Sequence, residues 1–276
     1  MISFIEPSTL ANNHVFRSNY IRHLVQGLGN FNAVDETRKG IIPKLLVQYW
    51  HDLHDLPSDV LNCLESWSPL EAIGFTRLLF DDELASKYIS EHFGDRHLQA
   101  FGRCHHPAMR CDYFRLCFIL LNGGFYVDAD EVYSGRNFND YFCDLRLKVH
   151  PLCYDKTTDK MVETQFFLNE RKFSTSWIFY VNNNPLISPP NHPVIHIALN
   201  RANRLLLANS GKADIQSTTG PGNVTASLVE HALSCDRANE PSNFQILSDW
   251  EEVSTNVWPL SYRSDGRNWR LVNLSE

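Results

Sequence analysis

The chain has 276 residues, 43% of them hydrophobic, 12% aromatic and 21% charged, with a formal net charge of -7. That length suits one large α/β domain or two small ones with a substantial core, and the composition excludes extended disorder. No run of Lys and Arg tracks a phosphate backbone, which excludes nucleic acid as the expected partner; an acidic chain can still hold an anionic ligand if a divalent cation supplies positive charge locally.

The N-terminus has no basic start followed by an apolar core, so it does not read as a secretory signal. Residues 1–40 are polar and irregular, with one helix expected over 18–28. The compact part begins at Ile41. Residues 44–50 form an apolar run of strand length behind Pro43. A helix is predicted over 58–67, a strand over 74–80, and a helix over 83–92 capped by Asp81 and Asp82. Residues 108–121 are apolar on most faces and predict a largely buried helix, stopped by Asn122-Gly123-Gly124. A very short strand, 125–127, then runs into Asp128-Ala129-Asp130. Further on, 165–168 and 177–181 read as strands, and Asn182-Asn-Asn-Pro185 as a turn. Helices are expected over 194–207 and 223–233, the second entered through the loop 218–222. Strands alternating with helices predict an α/β fold with a mostly parallel sheet. The longest apolar run, 116–121, is too short to cross a bilayer. Seven cysteines without a CxxC pair read as scattered thiols, which points to a reducing, cytoplasmic setting.

The acidic pair is the feature with the most chemistry. Side chains one residue apart on a strand point to opposite faces, but at a strand's end the backbone can turn and bring both carboxylates to one ion. Mg2+ and Mn2+ want such hard oxygen ligands and leave positions open for phosphate oxygens. On the preceding helix, Asp112 and Arg115 are three apart and share a face. They read either as an ordinary ion pair on a partly exposed turn or as a sugar- and phosphate-binding pair.

Arg110-x-Asp112-x-x-Arg115 followed by Leu120-x-x-Gly123-Gly124-x-Tyr126-x-Asp128-x-Asp130 resembles the DXD-containing sugar-binding region of glycosyltransferase family 32, and is similar to the signature of the glucosylating clostridial toxins. Ile42-Pro-Lys-x-x-x-Gln-x-Trp50 resembles that family's first strand, and Thr219-Gly-Pro221 a later loop. The resemblance implies a GT-A fold occupying 41–262, after an N-terminal extension (1–40) and before a tail (263–276) able to close over the site. It implies a retaining transferase that takes a sugar from a UDP- or GDP-sugar with Mn2+ or Mg2+ and delivers it to a glycan, lipid-linked or protein acceptor. No transmembrane segment is expected, and peripheral membrane association is compatible with that role. Carried over residue by residue, Trp50 stacks on the base, Arg110 and Tyr126 belong to the donor pocket, and Asp112 and Arg115 hold the sugar and its phosphate side. Asp128 faces the donor ribose or reaches the metal through water, and Asp130 ligates the metal directly. In the tail, Asp265 is the candidate third metal ligand and Trp269 the residue closing over the leaving phosphate; the alternative for both is an exposed chain end. Asn182, Asn183, Asn184 and His192 fall where the family has its sugar- and acceptor-facing loop, and Asn183 is the donor-side choice among them.

Two other readings stand beside this one. Residues 125–132 also fit the strand of a haloacid-dehalogenase-like phosphatase with Asp128 as nucleophile, although that motif normally opens its domain. A non-catalytic carbohydrate-binding protein of the same fold is the second.

Overall fold

The structure, a computed structural model, describes residues 5–28, 40–208 and 213–272. Two helices, α1 (Pro7–Asn12) and α2 (His14–Gln26), come first. The helix expected over 18–28 is thus the later part of α2, which starts at an Asn13 cap. The chain continues through β1 (Leu45–Tyr49), α3 (Ser58–Glu65), β2 (Thr76–Phe80), α4 (Asp82–Phe93), α5 (Asp95–Gly102), α6 (Pro107–Asn122), β3 (Gly124–Tyr126) and β4 (Glu131–Tyr133). After these come β5 (Leu147–Asp155), β6 (Lys160–Met161), β7 (Trp177–Ser188), α7 (Pro193–Ala208), α8 (Ile215–Thr218) and α9 (Pro221–Ala238). The last elements are β8 (Phe244–Ile246), α10 (Trp250–Val253), β9 (Ser254–Asn256) and α11 (Trp269–Val272). Among the described residues no helix is long and apolar enough to cross a membrane.

One central sheet has the order β2-β1-β3-β7-β5-β6, with β8 also paired to β5. Strands β1, β2, β3, β5 and β8 run in one direction, and β7 and β6 run against them. The α/β fold with a mostly parallel sheet is therefore observed. Both faces of the sheet are covered. Alternation along the strands sends Val47, Tyr126 and Leu186 into a core shared with α6, α7 and α9, and sends Leu46, Phe125 and Ile187 to the opposite face, against Trp67, Phe142 and Trp250.

Two predicted elements differ. Residues 165–168 are not a strand but part of a π-helical turn, Gln165–Asn169, that buries Phe167; a four-residue apolar run carries no periodicity to separate the two. Residues 182–185 are not a turn between elements but lie inside β7. The ladder with β5 pairs Val149 with Leu186 and then Pro151 with Val181, so four residues of β7 face a single residue, His150. Asn182 to Pro185 therefore bulge out of the ladder, as strands do beside functional sites.

The Gly123-Gly124 pair has a steric cause. Both have positive φ, +66° and +102°. A Cβ on Gly123 would lie 2.7 Å from the Pro190 nitrogen, and one on Gly124 2.7 Å from the Leu45 carbonyl oxygen. Only glycine lets α6 turn so sharply into a strand squeezed between β1 and β7.

Candidate active site

The site lies where the parallel strands β1 and β3 end, in a cavity of about 1460 Å³. The carboxyl ends of parallel strands are where open α/β sheets hold their ligands. Tyr126 faces the α6 layer, so Asp128, two residues on, faces it too. Arg115, projecting from α6, consequently meets both. Its guanidinium carbon sits 4.0 Å from the centre of the Tyr126 ring. One terminal nitrogen donates to Asp128 Oδ1 at 2.7 Å and lies 3.1 Å from Asp112 Oδ1, while the other donates to the Asn183 carbonyl at 2.8 Å. The Tyr126 hydroxyl also donates to Asp128 Oδ1, at 3.1 Å.

Asp112 is buried and accepts from Asn183 Nδ2 at 2.7 Å and from the Thr219 hydroxyl at 3.4 Å. Gly220 follows so closely that a Cβ there would stand 3.3 Å from Asp112 Oδ2. Thus the Thr219-Gly220-Pro221 loop docks on α6. Burial raises the Asp112 carboxyl to about 6, against the lowering influence of Arg115. Burial works against the Arg115 charge, but Asp128, Tyr126, Cys111 and Asp112 together outweigh it, so the guanidinium stays cationic. The i,i+3 pair seen in the sequence is therefore a buried ionic centre, not a solvated turn.

The chain turns at Ala129 and Asp130, and Asp130 takes its partners from the C-terminal segment. Its Oδ2 accepts from the Tyr262 hydroxyl at 2.9 Å and from the Arg263 guanidinium. Its Oδ1 is buried and has no hydrogen-bond partner within 3.5 Å among the described residues, although the Asn256 side chain is near enough to act on the carboxyl. Burial, then the neighbouring Asp128 charge, raise the Asp130 carboxyl. The next residue, Glu131, is also buried; it accepts from Asn184 Nδ2 at 2.9 Å and from the Ser254 hydroxyl, and burial raises it to about 8. Asn184 Oδ1 meanwhile accepts from the Asp128 backbone N–H at 3.0 Å. The bulged asparagines are thus the struts of the acidic loop.

The structure brings Asp112, Arg115, Tyr126, Asp128, Asp130 and Asn183 together, as the sequence pattern implies. Trp269 also reaches the cavity wall. Trp50 lines the cavity as well but is only 7% exposed, edge-on to Tyr262, with its indole N–H given to the Asp55 carbonyl at 3.1 Å. Tyr126 is fully buried against Arg115 and does not itself line the cavity, and three further expected residues are placed elsewhere. Arg110 is not in the cavity lining; it donates to Asp82 at 2.8 Å and to the Cys104 carbonyl, bracing α6 against α4. Asp265 does not join the acidic pair, because its exposed carboxylate is held by Arg267 within its own turn. His192 is buried away from the cavity, between the Asn243 carbonyl and the start of α7. Among the described residues no group of three or more His, Cys, Asp or Glu side chains is disposed to hold a metal ion.

No protein-family model matches the chain. Its sequence is similar to a protein of Acanthamoeba polyphaga mimivirus named Uncharacterized glycosyltransferase L373, with 21% identity over 210 residues, which cover 76% of this chain and 71% of that protein. A solved structure, PaToxG Glycosyltransferase, is 13% identical and overlaps 89% of this chain and 93% of its own with a TM-score of 0.47, a loose likeness of shape. The viral protein carries the glycosyltransferase name that the motif resemblance implies, while family 32 itself rests on the motifs alone.

Several site residues are not singled out by the sequence: Glu131, Tyr262, Arg263 and Trp258; Asn184 is named there, but for the sugar-facing loop rather than as a strut of the acidic loop. Glu131 directly follows the pair and was visible there. The C-terminal residues carry a signal in hindsight, since Trp258, Tyr262, Arg263, Arg267, Trp269 and Arg270 concentrate aromatic and cationic side chains in one short stretch that lines the cavity.

Proposed function

We propose that the protein is a glycosyltransferase of the GT-A type that moves a sugar from a UDP- or GDP-sugar to an acceptor hydroxyl with retention of configuration, assisted by Mn2+ or Mg2+, in the cytoplasm. The observation that carries the reading is the Asp112–Arg115–Asp128 centre at the carboxyl ends of β1 and β3, its first two members buried and Asp128 open to the cavity, with the unpartnered Oδ1 of Asp130 beside it. A glycosyltransferase name on the similar viral protein agrees with it.

Asp130, through that unpartnered oxygen, and Asp128 fit a divalent cation that takes its remaining ligands from diphosphate oxygens. When bound, such an ion neutralises charge on the departing diphosphate. Arg115 is held rigid by three acceptors and the Tyr126 ring, so its charge is available without reorganisation as the bond to the sugar breaks. Asp112, locked by Asn183 and Thr219, presents a carboxylate edge suited to sugar hydroxyls. Arg263 and Arg267 of the C-terminal segment line the same cavity and would face the diphosphate. No carboxylate stands out as a nucleophile for a double displacement, so the working mechanism is attack by the acceptor hydroxyl on the face the diphosphate leaves: the new C–O bond forms as the sugar–phosphate bond breaks, and the leaving diphosphate oxygen takes the acceptor's proton.

The phosphatase reading is not favoured. Its motif normally opens the domain, whereas here β1, β2 and the helices α3 to α6 precede Asp128, and that reading gives no role to the buried Asp112 and Arg115. The test is a thermal-shift and hydrolysis screen of UDP- and GDP-sugars with and without Mn2+. Binding of one donor and slow metal-dependent release of its sugar are expected; no release from any donor would leave the binding-protein reading standing. An inverted anomeric centre in the product, read by NMR, would overturn the retaining mechanism.

A further inference from the structure

The cavity runs on past the acidic centre along a wall built by β5, β6 and β7. Register places Leu152 opposite Tyr180, and Tyr154 opposite both Ile178 and Met161, so these five share one face of the sheet. All five line the cavity. Facing them are Trp258, Trp269 and Arg270 of the C-terminal segment. Three of these apolar side chains are unusually open for their size: Trp258 is 48% exposed, Met161 42% and Ile178 36%. An apolar surface left open inside a cavity marks a place where a ligand sits.

The charges in this outer part differ from those near the acidic pair. There, Arg115, Arg263 and Arg267 are each ion-paired. Along the outer wall, Arg17, Lys160 and Arg270 line the cavity with no carboxylate partner among the described residues. The carboxylates on this stretch are engaged by hydroxyls instead: Asp159 accepts from Tyr154 and Glu251 from Thr164. Arg270 is the best placed. Its guanidinium carbon lies 4.6 Å from the Trp258 ring centre and 5.4 Å from that of Trp269, and it stands near enough to the Tyr154 and Tyr180 hydroxyls to act on both electrostatically. In a chain of net charge -7, cations left unneutralised beside an aromatic wall select for a negative ligand.

We propose that this outer wall is the acceptor subsite, and that it takes a saccharide bearing a negative group, a uronic-acid carboxylate or a phosphate monoester. The sugar ring lies on the Tyr154, Tyr180, Trp258 and Trp269 faces, which match its apolar C–H surface. The anionic group meets the Arg270 guanidinium, whose fork suits carboxylate and phosphate alike. The assignment of this ligand as acceptor rests on the transferase reading; its recognition at this wall does not.

The experiment is calorimetric titration of the full chain with three disaccharides of equal size: one neutral, one ending in glucuronate and one carrying a phosphate monoester. At least one charged disaccharide should bind about tenfold more tightly than the neutral one. Arg270→Gln should erase that preference and Arg270→Lys should keep most of it. Whichever anion binds better identifies the source of the charge. Equal binding of all three, or a preference that survives in Arg270→Gln, overturns the proposal. Arg270 is exposed, so its replacement should leave the thermal midpoint unchanged; should the variant fail to fold, loss of the wild-type preference at high salt gives the same reading, and its persistence refutes it. Titration with UDP and GDP alone tests the donor reading separately. Charged saccharide binding without nucleotide binding would remove the transferase and keep this site.

Discussion

Replacing Arg115 with Met tests the ionic centre directly. The side chain is 4% exposed and ties together Asp128 at 2.7 Å, Asp112 at 3.1 Å and the Asn183 carbonyl at 2.8 Å. Met keeps much of the stem's volume but removes every donor. Breaking a buried pair by deleting one partner costs about 3–5 kcal/mol, because the remaining charge is left uncompensated. With an unfolding entropy of about 2.1 cal/mol/K per residue, a chain of this size loses about one degree of midpoint for each 0.6 kcal/mol. The midpoint should therefore fall by about 5–8 °C. Part of the loss has an outlet. The Asp112 carboxyl already rises from 3.8 to about 6 with Arg115 present, and without the cation it must rise further. The folded state then holds this proton more tightly than the unfolded chain, so stability falls as pH increases across that window and recovers as pH drops below it. Differential scanning calorimetry at mildly acidic and mildly alkaline pH should show the variant's deficit shrinking on the acid side. A deficit independent of pH, or a midpoint within about one degree of wild type in alkali, would refute the picture of a buried carboxylate neutralised by Arg115.

Other expectations follow from the same geometry. Asp130→Asn should lower Mn2+-dependent donor hydrolysis by about a hundredfold or more with the fold retained, checked by initial rates and circular dichroism; near-normal turnover would take Asp130 out of the metal role. Because Arg263 occupies one oxygen of Asp130, Arg263→Ala should tighten Mn2+ binding in calorimetry, and an unchanged or weaker affinity would show that the two do not compete. His150 is buried opposite the β7 bulge, and burial lowers its imidazole from 6.5 to about 4. The unfolded chain thus takes up a proton that the folded one refuses, and stability should be lost as pH falls from 6.5 toward about 4. Urea midpoints across that range should show a flatter acid limb in His150→Gln.

Much of the fold was legible because its determinants are local. Strands β1 and β2 are apolar runs bounded by Pro43 and by the Asp81 cap, and α6 has no polar face to misplace. The Gly-Gly turn and the acidic pair are contiguous, so that half of the site could be read directly. The other half is assembled from distance. Asn184 acts through a bulge that only the pairing with β5 reveals, and its sequence neighbourhood has the composition of a turn. Tyr262 and Arg263 reach Asp130 across some 130 residues, with no periodicity to announce them. Strand β5, with Pro151 in its middle, was not anticipated at all; the proline is tolerated because the ladder is already interrupted at that point.

The four bulged residues of β7 also separate two kinds of sequence change. On either side of them the strand is clamped to β5 and β3 in fixed register, so an insertion there would shift every following side chain to the wrong face of the sheet. Within the bulge the backbone is already out of phase with its partner. A change of length there leaves the layers beneath in register, but it moves Asn183 and Asn184, on which Asp112, Arg115, Asp128 and Glu131 rest. The sheet can therefore survive a rewriting of this one segment that the acidic centre cannot.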